Sequence, residues 1–395
     1  MTFSRIGKAL FYFSVLLFAA GLLIFSRETS SAAASALSLC GRTLIPSLFP
    51  FFVLSSVTVE SGAPNGLGRA FGKPMRFLFG LPGACAPAFI LGILGGYPVG
   101  AATASKIYKK GLCTKAEAER LLSFCNNCGP AFILGVCGVA LFGRAAAGVL
   151  LYLSHIAASV TCGILFRFYR GRGTDLKAPA APEENAGAPV SPRRLFLSAV
   201  KSSSGAVLGI CAYVVFFSVA VRLLQLFGVI PAAAGLLHLL LKPLGADIAF
   251  SEKLIGGFFE VTAGVYGIAS TGAALGAKLC ATAFMLGWAG LSVHFQVLDF
   301  ISDCGLSPAP YMIGKLLHGL FSALYVYIGT LLIPFDAEVS KLIATQLSLI
   351  SSASPVKTLL FSLFCCLALF GISALLSKRK KLKKAQKGRI ILFRR

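Results

Sequence analysis

Acidic side chains are scarce in this chain: 14 Asp and Glu stand against 37 Lys and Arg in 395 residues. So few carboxylates leave the apolar segments almost without the acid–base pairs that an enzyme site needs. Histidine is rarer still, with four residues and none of them at metal-ligand spacing from another ligand. Cys125 and Cys128 have that spacing, but a single pair without a second pair or a neighbouring His is weak grounds for zinc. Most of the rest of the 12 cysteines are scattered singly, chiefly through apolar runs, where Cys acts as a small hydrophobe. A phosphate loop, a nucleophile elbow and a kinase signature are all missing, which excludes an ATP-driven engine. No enzyme activity, metal or cofactor is expected. Charge of either sign amounts to 13% of residues, against about 25% in soluble domains. That deficit excludes a soluble fold.

What is present is apolar: 56% of residues are hydrophobic, and the mean hydropathy is +0.82. The expected fold is an all-α polytopic membrane protein. The net charge of +23 is concentrated in two places, ten Lys or Arg and no acid from Lys378 to Arg395 and seven more from Arg167 to Lys201. Basic loops of this kind stay in the cytoplasm, and such a tail can hold anionic lipid headgroups. No aromatic–basic interleaving accompanies either run, so nucleic acid is not an expected partner.

These anchors set a topology of about eight transmembrane helices plus two re-entrant helical hairpins. The first membrane half, 1–168, holds a retained first span over 6–26 and a second span over 43–61. It continues with hairpin one over 84–107, a broken third span, and a fourth span over 145–168. Thr114 and Glu117 have capping-box spacing and start the third span's helix. A Pro/Ala/Glu-rich cytoplasmic linker covers 169–200. The second half, 201–377, holds span five over 205–227, an amphipathic stretch over 236–244 and hairpin two over 252–271. Span six over 275–298, span seven over 311–333 and span eight over 356–377 complete it, and the basic tail is 378–395. The order of span, hairpin, span and span recurs upside down, an inverted repeat.

The two hairpins carry the functional signal. Hairpin one reads Gly92-Ile93-Leu94-Gly95-Gly96-Tyr97-Pro98-Val99-Gly100, and hairpin two reads Gly256-Gly257-Phe258-Phe259-Glu260-Val261-Thr262-Ala263-Gly264. Interrupted apolar segments are tolerated in lipid only where they line protein or a cavity, and a matched pair points to a transporter's substrate site. The third span breaks at Asn126-Asn127-Cys128-Gly129-Pro130, whose amides supply donors without fixed charge. Half-helices starting at Val99 and Ala131 direct free N–H groups at the membrane centre, where the helix dipole favours a carboxylate. Tyr97 offers a ring face with a polar tip, suited to a planar aromatic ring. Candidate substrate-binding residues are therefore Gly95, Gly96, Tyr97, Pro98, Gly100, Asn126, Asn127, Gly129, Glu260 and Thr262. Glu260 has three open roles: it can carry a coupling proton, bind a cation, or tie the hairpin tip to backbone N–H groups. The Gly and Pro positions equally fit plain kinks or close helix packing.

The run Gly95-Gly96-Tyr97-Pro98-Val99-Gly100-Ala101, together with the stretch from Ala116 through Asn126-Asn127-Cys128-Gly129-Pro130, resembles the YlbJ/SpoVV sporulation integral membrane proteins. These belong to the nucleoside-recognition, or Gate-domain, group. The resemblance extends to Leu48-Phe49-Pro50-Phe51-Phe52 and to Glu260-Val261-Thr262-Ala263-Gly264, so it covers most of the chain outside the linker and tail. It implies a carrier of dipicolinic acid from mother cell to forespore, in the outer forespore membrane or cell membrane. The residues alone leave open a nucleoside-like solute, a structural membrane protein of sporulation, and a homo-oligomer. The implied partners are dipicolinate and membrane lipid.

Overall fold

Long apolar stretches with polar breaks fold here as helices that stop where glycine, proline or a carboxylate stops them. A computed structural model describes residues 5–60, 70–170 and 191–332, and every regular element among them is helical. Among the described residues, five helices are long and apolar enough to cross a membrane, or six if Ala70–Phe79 and Gly83–Gly95, bent by 96°, form one span. The expected eight are thus reached only in part. Helix α3 (Ile45–Glu60) spans only 16 residues, and the third span is divided. Span eight, the basic tail and positions 171–190 of the linker lie outside the described residues.

The chain begins with α1 (Arg5–Ile24), whose apolar side chains are hardly buried, and α2 (Ser26–Leu39), which runs through a wide turn into α3. Hairpin one is α4 (Ala86–Gly95) and α5 (Val99–Lys109). It turns at Gly96, whose φ of +82° a side chain would oppose, and at Pro98, which follows a cis peptide bond. The expected capping box opens α6 (Lys115–Cys125): the Glu117 N–H donates to Thr114 Oγ1, and the Thr114 N–H donates to Glu117 Oε2 at 2.8 Å. After Pro130 the chain resumes as α7 (Ala131–Leu141), wound as a π-helix, and returns as α8 (Ala145–Phe166).

The second half repeats this order. Helix α9 (Pro192–Leu226) is followed by α10 (Val229–Leu241) and by hairpin two, α11 (Ile248–Phe259) and α12 (Val261–Ala269). A helix that breaks comes next, α13 (Leu275–Trp288) into α14 (Gly290–Ser302), and then α15 (Ala309–Leu332). Span six, expected over 275–298, is one membrane-crossing segment over Leu275–Ser302 with an interruption inside it. Ala289 takes φ +76° and Gly290 φ +80°, so the helix is interrupted where the apolar sequence reads as continuous. In each half, thirty residues separate the hairpin tip from the break, Gly96 to Asn126 and Glu260 to Gly290.

Glycine lets backbones touch at matching places. A Cβ on Gly100 would stand 2.0 Å from the Cys125 carbonyl oxygen and 3.1 Å from Gly92 Cα, so α4, α5 and α6 meet without side chains between them. In hairpin two a Cβ on Gly264 would stand 2.2 Å from Gly257 Cα, with Met285 Sδ of α13 at 2.9 Å. Helix α15 packs on α13, α8 and α6; a Cβ on Gly287 would come within 2.5 Å of Gly319 Cα. Such small-residue seams are how membrane helices gain packing when lipid is as apolar as they are. A second core, with Leu48, Phe52, Val207 and Ile210, fills the space between α3, α9 and hairpin one.

Glu260 closes hairpin two upon itself. It sits in extended backbone between α11 and α12, and its carboxylate accepts the N–H groups of Thr262 at 3.0 Å and Ala263 at 2.6 Å. This satisfies two of the donors that any helix start leaves unpaired.

Four substitutions test these joints. Gly100→Ala should lower the stability of purified protein in detergent by about 1–3 kcal/mol or more, because the methyl has only backbone to displace. Gly135→Ala, at a position with nothing within 4 Å, should leave thermal unfolding unchanged. Glu260→Ala should cost about 1–3 kcal/mol for each N–H left without a partner, and Glu260→Gln, which keeps one acceptor oxygen, should cost less. An Ala variant that unfolds with the parent would show that the cap is dispensable.

Candidate functional site

The two hairpin tips and the first break come together around one cavity. Its volume is about 150 Å³, and Leu48, Phe51, Tyr97, Gly129, Phe132 and Thr262 are among the residues that line it. Gly95 and Gly96 line it as well, from the tip of hairpin one. Gly96 leans on the break itself, since a Cβ there would lie 3.0 Å from the Gly129 backbone nitrogen. One wall is supplied by the end of α2 and by α3, which the sequence did not associate with the site.

Behind the cavity lies a buried polar cluster. Asn126 ends α6 in extended backbone, with φ −96° and ψ 96°. Asn126 and Asn127 are buried, and Asn127 donates its amide to the Phe124 carbonyl at 3.1 Å. The Asn126 side-chain amide, Asn127 Oδ1 and the Tyr97 hydroxyl are buried without hydrogen-bond partners. Buried polar atoms are nearly always satisfied in native structures, so an orphaned group of three at one place marks room for a water or a ligand.

Lys315, fully buried on α15, stands at the centre of this cluster. Its ammonium donates to the Asn126 backbone carbonyl at 2.9 Å and reaches His318 Nδ1 at 3.2 Å. His318 Nε2 is 2.9 Å from the His155 carbonyl, which can only accept; the proton therefore sits on Nε2, and Nδ1 accepts from Lys315. The Cys128 N–H donates to His155 Nε2 at 3.0 Å, which leaves the proton of His155 on Nδ1, without a partner. Lys315 Nζ also lies 5.8 Å from the centre of the Tyr97 ring, within cation–π range. No carboxylate among the described residues is within ion-pair distance of it.

The sequence-based residues divide into three groups. Gly95, Gly96, Tyr97, Gly129 and Thr262 face the cavity, and Asn126 and Asn127 stand directly behind it. Pro98 and Gly100 serve the hairpin's own build, as the residue that opens α5 and as the contact with the Cys125 carbonyl. Glu260 spends its carboxylate on α12. Lys315, His318 and His155 were not among the sequence-based candidates, and the two histidines are packed in the interior. The available signal was a lysine one helical turn before a histidine inside an apolar span, where charge is costly enough to be functional by default. Lys278 donates to the Ala269 carbonyl at the end of α12, at 3.1 Å.

The halves differ in how their half-helices start. Hairpin two is capped by its own carboxylate, whereas neither α5 nor α7 has a side-chain cap. In the second break the Trp288 indole N–H donates to the Phe258 carbonyl at 3.0 Å, and His294 Nδ1 is 2.9 Å from the Tyr311 hydroxyl. Positive partial charge is therefore left uncompensated on the side of hairpin one, next to Lys315.

Residues 42–168 match the Gate family model, described as nucleoside recognition. Solved structures of CNTnw are similar at a lower level. Its inward-facing substrate-bound state aligns at 15% identity and a TM-score of 0.46, over 83% of this chain and 87% of that one. A variant of it in an outward-facing state aligns at 14% identity and a TM-score of 0.49, over 82% and 85%. The sporulation integral membrane protein YlbJ of Bacillus subtilis (strain 168) is 30% identical over 344 residues, covering 82% of this chain and 83% of that protein. The chain belongs to the family of YlbJ, a sporulation integral membrane protein.

Proposed function

We propose that this protein is a carrier, not an enzyme, for a small organic anion, and that dipicolinate passing from mother cell to forespore is its substrate. The observation that carries this reading is Lys315, a buried amine without a carboxylate partner, bonded to the Asn126 carbonyl and 5.8 Å from the ring of Tyr97, which lines the cavity. A buried unpaired charge is unfavourable, and a carboxylate arriving in the cavity would relieve it. The uncapped starts of α5 and α7 add partial positive charge from the same side. Tyr97 and Phe132 supply aromatic faces for a flat ring. Sporulation, the context in the name of the Bacillus relative, fits a solute stored in spores.

In this reading α4–α5 and α11–α12 are re-entrant hairpins entering from opposite faces, and the two halves form an inverted repeat around the site. The membrane is the outer forespore membrane, with the linker and tail in the cytoplasm beside anionic lipid. A second reading is a nucleoside-like solute. It is favoured by the Gate match and by the free donor and acceptor of Asn126, which suit a base edge.

Purified protein in liposomes should take up radiolabelled dipicolinate above empty vesicles. Excess unlabelled dipicolinate should compete, and uridine should not; competition by uridine alone would favour the second reading. Folded protein without uptake of either would indicate a scaffold. Asn126→Leu should still insert, yet bind dipicolinate about tenfold or more weakly. Cysteines placed at Asn185 and Gln386 should be labelled only from the cytoplasmic side, and labelling of either from the other side would overturn the inverted repeat.

A further inference from the structure

A helix broken inside a membrane exposes backbone carbonyls at the C-terminal end of its first half, where the helix dipole is negative. In carriers built on broken helices, such carbonyls are where transported Na+ or H+ is held. The first break here has that carbonyl, on Asn126 immediately after α6. It is occupied from within the chain, because Lys315 Nζ donates to it at 2.9 Å. The remaining surroundings of the ammonium are also those of a bound cation. His318 Nδ1 presents its lone pair at 3.2 Å, fixed in that role by the Nε2 contact with the His155 carbonyl, and the Tyr97 ring face lies at 5.8 Å. At the tip of hairpin two, the Phe258 carbonyl near the end of α11 is taken by the neutral indole N–H of Trp288. Neither of these two carbonyls is left open to a metal ion.

We propose that Lys315 is the resident cation of this carrier: a tethered ammonium at the site where a coupling metal ion would otherwise bind, so that transport proceeds without Na+ or K+. This rests on the carrier reading above and adds what drives or fails to drive it. The residue does two tasks from one place. Its first contact closes the broken end of α6, and its charge lies 5.8 Å from the ring of Tyr97, a residue of the cavity wall, where it acts on the anion through that ring. Because the cation is covalently held by α15, it remains in the protein through each cycle and is not carried across with the substrate.

The test is uptake of radiolabelled dipicolinate into proteoliposomes with external Na+, K+ or choline at one ionic strength and a fixed membrane potential. Equal initial rates are expected, and a rate that saturates with Na+ or K+ would overturn the proposal. Lys315→Ala should lose uptake and unfold at a lower temperature, and n-propylammonium should restore both. Tetramethylammonium, which has the same charge but no N–H, should restore neither. Parental uptake by Lys315→Ala without amine would overturn the proposal, as would equal rescue by both amines. If that variant does not fold, Lys315→Gln keeps a donor for the Asn126 carbonyl without charge; it should stay folded and lose uptake, and parental uptake by it would refute a role for the charge. Failure of the wild-type protein to take up solute under every cation would end the carrier reading instead. Thermal unfolding would then decide the role of Lys315, with amine-specific rescue of Lys315→Ala supporting the resident cation and Na+-specific stabilisation of the wild type overturning it.

Discussion

The constraint on which the structure depends is that lipid offers no hydrogen bonds, so each helix broken within the membrane must have its freed backbone groups met by protein. Side chains meet them here. Glu260 accepts the first N–H groups of α12, Lys315 donates to the carbonyl that ends α6, His155 accepts the Cys128 N–H, and Trp288 donates to the Phe258 carbonyl. Each unsatisfied group would otherwise cost several kcal/mol, by rough reckoning. The polar residues of an apolar chain are thus gathered at the breaks, and the cavity lies where the breaks meet.

The halves share an order of elements but not a chemistry. Hairpin two is self-contained, because the residue at its tip neutralises the helix start that follows. Hairpin one has Tyr97 and Pro98 at the corresponding place, and its helix start is left for something else to meet. A repeat with one closed and one open tip gives the site a polarity that two identical halves would lack. It also places the aromatic faces and the amides on the same side of the cavity as the unpaired charge.

Much of this was legible locally. Glycine and proline within apolar runs announced both hairpins, Asn126-Asn127-Cys128-Gly129-Pro130 announced the first break, and Thr114 with Glu117 announced the start of α6. What was not legible depended on distance in the chain. The Ala289–Gly290 break lies in a sequence that reads as one apolar helix and is fixed by contact of Gly290 with the tip of hairpin two, whose Val261 nitrogen would lie 3.0 Å from a Cβ there. Lys315 looks like an isolated charge in an apolar span until the fold brings it to Asn126, 189 residues earlier. The α2–α3 wall of the cavity likewise owes its place to packing against α9 and hairpin one, which no local pattern encodes.

The backbone contact of Gly92, Gly100 and Cys125 has a mechanical consequence. Side chains between helices act as springs, since their rotamers can shift to absorb small displacements. Three main chains in direct contact have no such compliance, so α4, α5 and α6 can only move together. A displacement of Tyr97 by more than its own side-chain rotation must therefore drag the Asn126 carbonyl with it and pull against the lysine of the other half. Whatever opens the cavity on that side is geared to the contact between α6 and α15.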